Sequence, residues 1–411
     1  MNDLRDAVSG QPDHNGKWPV AARPVVADLP PSKIREIANA GFGRTDLLRF
    51  WFGESNRPTP DYIKQTALAG IANDEVFYTH NNGREDLRAA LASYLTQLHR
   101  QPFSLERTSI TSSGVSALMI ALQALIDPGD RVVIVTPIWP NIAQMPVALG
   151  AQVERVAVDG SSGQWQLDLD RLLAAITPDT KVLIINSPAN PTGWIIPAEQ
   201  QRAILDHCRR LGVWILADDV YERLVLGAGA GPAPSFLALA DPQDRLIGAN
   251  SFSKAWLMTG WRLGWLVAPA ELADDLAKVI EFNTSCVPGF IQSAGIAALT
   301  QGEPHIRALQ AELTANRDQV IAALTAMEGI DAPLPQGGMY AFFRIHGQPD
   351  SVALAKRLVR EAGLGLAPGA AFGPEGEGWL RWCFAAGGEG LNEGLARLAD
   401  WVGNNRTKGN G

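Results

Sequence analysis

The sequence predicts an α/β protein: a large three-layer αβα domain on a mainly parallel, mixed sheet, with a smaller α+β domain. Two observations predict this. Between about residues 110 and 270, short apolar runs alternate with helical patterns. The runs RVVIVTP, KVLIINSP, VWILADD and RLIGANS are continuous rather than alternating, as strands covered on both faces must be. Such strand–helix alternation builds a parallel sheet. From about residue 305 the pattern changes. A long helix (roughly His305–Met327) leads to GGMYAFFRI, a helix near Val352–Ala362, and a last apolar run, WLRWCFA.

In chain order, residues 1–27 are polar and proline-containing and read as a loose arm, without the apolar core of a signal peptide. Residues 28–60 show no sheet pattern and are expected to pack with 310–411 as the small domain. That leaves 61–309 as the large domain. Ser116–Ile126 is apolar and helical. Pro197–Gly212 is a second helix, with a basic last turn before a stop at Gly212. The tail GNNRTKGNG is expected to fray.

Composition narrows the function. The chain has 411 residues, 46% hydrophobic and 19% charged, with a net charge of −8 and no basic run. Nucleic-acid binders carry a basic footprint, so none is expected here. The longest apolar run, Ala117–Ile126, falls far short of the ~20 residues that span a bilayer. Cys208, Cys286 and Cys383 are odd in number and far apart, which suits a reduced, cytoplasmic setting. The six histidines show no metal-ligand spacing.

Three motif matches fail on their context. Gly227-Ala-Gly-Ala-Gly231 runs into Pro232 rather than a helix, so it reads as a loop. Ser251–Lys254 fits S-x-x-K but lacks the S-D-N and K-T-G partners. Gly114-Val-Ser116 opens like a nucleophile elbow, with Leu118 where the second glycine belongs.

Ligands of parallel α/β sheets bind at the carboxyl ends of the strands. Several chemistries gather there. Thr111–Ser116 precedes an apolar helix, and small residues at a helix start expose N–H groups to an anion. Trp139 follows RVVIV and could stack on a planar ligand. Asn190 sits in the rigid turn NSPANPTG. Asp218 ends a buried strand, where a carboxylate is costly unless it meets a cation or donor, and Tyr221 stands three residues on. Ser251, Ser253 and Arg262 supply donors for phosphate oxygens. Lys254, among Phe252, Trp256 and Trp261, would be desolvated into a nucleophile. Arg381 alternates with Leu380 and Trp382 and could clamp a carboxylate. A phosphate cradle, a stacking ring, a pyridinium partner, an imine-forming lysine and a carboxylate clamp are together what pyridoxal phosphate requires.

With these motifs in view, the chain resembles the class I/II aminotransferases of the aspartate aminotransferase-like, fold-type I superfamily. Gly53–Pro60, Tyr78–Arg88, SSGVSAL, NSPANPTG, ADDVYERL, SFSKAWLMTGWRLGW and RWCFA carry the resemblance in order, from about Asp28 to Val402. It implies that Lys254 forms a Schiff base with pyridoxal 5′-phosphate and that Asp218 partners the ring nitrogen. Tyr221 and Asn190 match donors to the ring oxygen. Ser113, Gly114 and Val115, with Ser251, Ser253 and Arg262, match the phosphate cup, and Trp139 the stacking position. Arg381 matches the substrate carboxylate clamp, and Gly53 a backbone contact. Tyr78 matches a tyrosine that reaches the neighbouring subunit's cofactor, which implies a homodimer with shared sites.

The resemblance implies ping-pong transfer of an amino group between an amino acid and a 2-oxo acid. Two other readings use the same residues: a β-eliminating C–S lyase or decarboxylase, and a non-catalytic ligand sensor. The pattern departs from the family at Asp219 and at Ser55–Arg57. Asn283–Gln292 holds no arginine for a distal carboxylate. Arg57 is the candidate substitute. An apolar, aromatic or neutral donor is therefore expected.

Overall fold

The computed structural model describes residues 20–406. The expected arm and frayed tail therefore lie, for 1–19 and 407–411, outside the described residues. The first long helix, α1 (Lys33–Ala40), is capped by the Ser32 hydroxyl, which accepts the Arg35 N–H at 3.3 Å. Strand β1 (Leu48–Arg49), α2 (Asp61–Ala72) and α3 (Glu85–His99) follow.

The chain then lays down β2 (Thr108–Thr111), α4 (Gly114–Leu125), β3 (Arg131–Thr136), α5 (Pro140–Ala148), β4 (Gln152–Ala157), α6 (Leu169–Ala175), β5 (Thr180–Asn186), α7 (Ala198–Leu211), β6 (Trp214–Asp218), β7 (Leu246–Ser251) and β8 (Gly264–Val267). The strands form one sheet in the order β2-β8-β7-β6-β5-β3-β4. Only β8 runs antiparallel to its neighbours. The sheet is thus mixed and mainly parallel. Alternate residues of each strand enter different cores. Val132, Ile134 and Ile184 join the α4 and α5 side, and Val133, Leu183 and Ile185 the other. Burial on both faces is why these strands read as continuous apolar runs. Helix α7 stops at Gly212, whose φ of 70° lies in the left-handed region glycine adopts freely.

Beyond it come α8 (Ala273–Thr284), α9 (Gly289–Gln301), α10 (Glu303–Ala326), β9 (Ile330–Asp331), β10 (Tyr340–Ile345), α11 (Ser351–Ala362), β11 (Leu364–Gly365), β12 (Ala367–Pro368), β13 (Trp379–Cys383) and α12 (Glu389–Arg406). A second sheet has the order β12-β13-β10-β9, and β1 pairs parallel with β11. Residues 48–49 thus join the C-terminal part of the chain.

Three strands of the large sheet lie outside the apolar runs read from the sequence. Strand β4 is an edge, with Gln152 exposed, and so carries polar residues. Strands β2 and β8 have four residues each, too few for a pattern.

Candidate active site

The sheet register sets Asn186 beside Asp218 and Asp218 beside Ala249, so β5, β6 and β7 end side by side. Their ends, the first turn of α4 and the β10–β13 pair enclose a cavity of about 410 Å³. Twelve of the residues named from the sequence line it: Gly53, Gly114, Val115, Trp139, Asn190, Asp218, Tyr221, Ser251, Ser253, Lys254, Arg262 and Arg381. Ser113 and Tyr78 do not.

Ser113 holds the helix start instead. Its hydroxyl accepts the Ser116 N–H at 3.1 Å, and its φ of 122° is a conformation that side chains rarely adopt. The Gly114 and Val115 N–H groups belong to the first turn, which has no intrahelical partners. Close packing brings this turn to the strand ends. A Cβ on Gly264 would stand 2.5 Å from Gly114 N, and one on Gly114 would stand 2.9 Å from the Ser251 Cβ. Ser251 Oγ donates to Ser253 Oγ at 2.9 Å. Arg262 adopts φ 54° and donates to the Thr259 carbonyl at 2.6 Å. Trp139 caps α5 on the cavity wall.

Asp218 is buried at the end of β6 and accepts the Val220 N–H at 3.3 Å. Burial pushes its carboxyl up to about 7; the Val220 N–H opposes this and Asp219 adds to it. Lys254 Nζ donates to the Gly53 carbonyl. Burial draws its ammonium down to about 8; Cys383 and Glu54 oppose this, and Arg381 and Arg262 reinforce it. The aromatic neighbours read from the sequence do not line the cavity beside Lys254. Phe252 and Trp256 point into the core, packed with Trp265, and line no part of the cavity.

Arg381 is 2% exposed. It donates through Nη1 to Asn190 Oδ1 at 3.1 Å and through Nη2 to the Trp51 carbonyl. Its guanidinium lies 4.5 Å from the Tyr340 ring centroid and 5.0 Å from that of Phe372. Nε is buried with no hydrogen-bond partner, and among the described residues no carboxylate pairs with it. A buried guanidinium without an anion is costly, which suits a site that receives one.

Tyr340 is the principal site residue that sequence reasoning missed. Its hydroxyl hydrogen-bonds Tyr221 Oη at 2.6 Å, and burial drives both phenols well above their ordinary range. A Cβ on Gly53 would stand 2.0 Å from Tyr340 Oη, so that glycine makes room for the pair. The signal was slight: one tyrosine opening an apolar strand after Gly337-Gly338. Arg57 lies outside this cavity and forms an ion pair with Glu312.

The donor set can be tested against pyridoxal phosphate. The first turn of α4 with Arg262 and the two serines matches a phosphate, Asp218 a protonated ring nitrogen, and Lys254 an aldehyde. The buried Asp218 carboxyl and the orphaned Arg381 Nε are the groups that such a cofactor and its substrate would satisfy. The residues present fit.

A fold of this kind, with a buried lysine and an anion-free buried arginine lining one cavity, defines a class that comparison identifies. Residues 50–398 match the aminotransferase class I and II family. A probable N-acetyl-LL-diaminopimelate aminotransferase of Bacillus subtilis is 30% identical over 92% of this chain and 95% of its own. An aspartate aminotransferase of Thermotoga maritima is 30% identical over 92% and 98%. The solved structure of a Thermus thermophilus aspartate aminotransferase mutant superposes with a TM-score of 0.86 at 30% identity, covering 93% of this chain and 99% of that one. The chain belongs to the class I and II aminotransferases. It has their α/β fold and is an aminotransferase, an enzyme of a family that uses pyridoxal phosphate.

Proposed function

We propose that this cavity binds pyridoxal 5′-phosphate and moves an amino group between an amino acid and a 2-oxo acid in a ping-pong cycle. The observation that carries this is the pairing, in one cavity, of Lys254, drawn down to about 8, with the buried, anion-free guanidinium of Arg381. When bound, the cofactor supplies an aldehyde that condenses with amines and a ring that draws off carbanion charge.

The chain's own residues do the rest. Gly114 and Val115 N–H, with Ser251, Ser253 and Arg262, hold the phosphate, helped by the positive end of α4. Ser113 positions that turn through its cap. Asp218 would pair with the ring nitrogen, and Trp139 would stack on the ring. Tyr221 and the Asn190 Nδ2 donate to the ring oxygen. Arg381 fixes the substrate carboxylate, with the Gly53 backbone beside it. Lys254, its ammonium drawn down to about 8, would take the Cα proton as base and deliver it as acid to the cofactor carbon that carried the aldehyde.

Residues 28–60 with 310–411 form the small domain, and 61–309 the large one. The working unit is a homodimer. Phe77 and Tyr78 are adjacent in the chain and 77% and 90% exposed, an apolar pair that a partner surface would cover, and the family resemblance gives Tyr78 the reach to the partner's site. Three free cysteines, two of them buried, support a reduced cytoplasmic setting. Among the described residues no helix is long and apolar enough to cross a membrane.

The test is a donor panel with added 2-oxo acid. Transfer of the amino group is expected. Release of pyruvate with ammonia, or of carbon dioxide, at the same rate without an acceptor would instead mark a C–S lyase or decarboxylase.

A further inference from the structure

We infer that Tyr340 is a positioning residue for the cofactor: its hydroxyl donates to Tyr221, which leaves the Tyr221 hydrogen to be given to the cofactor's ring oxygen. The inference rests on the pairing of Tyr221 with that oxygen proposed above. A phenol carries one O–H, so in a bonded pair one hydroxyl donates and the other accepts. The two oxygens lie 2.6 Å apart, on rings whose centroids are 5.7 Å apart and whose planes meet at 81°. Both residues are buried and line the active-site cavity. Tyr340 comes from the start of β10 and Tyr221 from the loop after β6, so the small sheet reaches into the ring site of the large one.

Charge and space both set the direction of this bond. The Arg381 guanidinium lies 4.5 Å from the Tyr340 ring centroid. It acts on Tyr340 more strongly than Cys383 or Glu54, each of which opposes it. A cation there favours negative charge on the Tyr340 oxygen and makes Tyr340 the better donor. Arg381 also reaches Tyr221, but the Asp218 charge opposes it there and makes the Tyr221 oxygen the better acceptor. Space agrees. A Cβ on Gly53 would stand 2.0 Å from Tyr340 Oη, so the Gly53 backbone closes that side, and the Gly53 carbonyl is taken by Lys254 Nζ. Among the described residues the Tyr340 hydroxyl bonds Tyr221 alone.

A hydroxyl that accepts one hydrogen bond donates the next more strongly, because bonds in a low-dielectric chain polarise one another. A donor on the ring oxygen stabilises negative charge there. It also competes for that oxygen with the protonated nitrogen that links cofactor and lysine. Tyr340 should therefore lower the pH at which that nitrogen gives up its proton.

The experiment titrates the absorbance of the cofactor-loaded enzyme, which reports that nitrogen. Tyr340→Phe removes one hydroxyl and keeps the ring against Arg381. Tyr340→Met, unbranched and adaptable, serves should the first variant not fold. Cys383, Arg381, Glu54 and Arg262, the groups that face Lys254, are unchanged in both. We expect the midpoint to rise by at least about half a pH unit, roughly a threefold change in proton affinity. Tyr221→Phe should raise it further. Adding Tyr340→Phe to that variant should move it no more, because Tyr340 acts through Tyr221. An unmoved midpoint, equal shifts in both backgrounds, or a rise in KM alone, which would put the Tyr340 hydrogen on the substrate, would overturn the inference while leaving transamination intact. A wild type that binds no cofactor would overturn the proposed function itself.

Discussion

Arg381 Nη1 donates to Asn190 Oδ1 at 3.1 Å, which ties β13 of the small sheet to the turn after β5 of the large one. One hydrogen bond thus couples the residue proposed for the substrate to a residue proposed for the cofactor. Arg381→Lys keeps the charge and loses the planar fork. The expected result is a fall in kcat/KM of about 100-fold, mostly through KM, with cofactor absorbance unchanged. Steady-state kinetics with an alternative donor checks it.

Asp218 gives a pH prediction for the cofactor-free protein. Its folded value of about 7 lies above the ordinary 3.8, so burial favours the protonated form. That stability is complete below about pH 4 and lost as pH rises through 7. Asp219, raised by burial as well, contributes in the same window. Asp218→Asn should therefore raise the apo Tm at pH 8, by on the order of 2 °C. The same variant should lose at least about 100-fold in kcat, because no carboxylate meets the ring nitrogen. Thermal melts with and without cofactor separate the effects: the wild type should gain more from cofactor than the variant does.

Much of this site was legible because the parallel sheet puts chemistry at strand ends. NSPANPTG, ADDVYERL and SFSKAWLMTGWRLGW each begin where an apolar run stops. The rest lacked a sequence mark. The Trp51 carbonyl that holds Arg381 is backbone, which any residue could supply. Tyr340 opens a strand whose next three residues, Ala341, Phe342 and Phe343, are apolar. Phe252 and Trp256 adjoin Lys254 in the chain and point away from it in space, because the loop after β7 turns between them. Strand β4 was hidden by its edge position.

Gly264 is predicted to be irreplaceable for the cofactor turn as well as for close packing in the sheet. An alanine there must push the first turn of α4 away from β8, since its Cβ would stand 2.5 Å from Gly114 N. Cofactor affinity should fall at least about tenfold for each ~1.4 kcal/mol lost at the phosphate. Equilibrium dialysis against pyridoxal phosphate reads this, and circular dichroism confirms the fold.

The exposed Phe77 and Tyr78 are predicted to be buried between subunits. Phe77→Arg should give monomers by analytical ultracentrifugation and lower kcat at least about tenfold, because a charged residue cannot be buried unpaired. Tyr78→Phe should leave the dimer intact and weaken cofactor retention.

The most direct measurement is borohydride reduction of the cofactor-loaded protein followed by peptide mass mapping. One reduced pyridoxyl phosphate on Lys254 is expected, absent after prior treatment with an amino donor and restored by a 2-oxo acid. A label on another lysine, or one that the donor does not remove, would contradict transamination through Lys254.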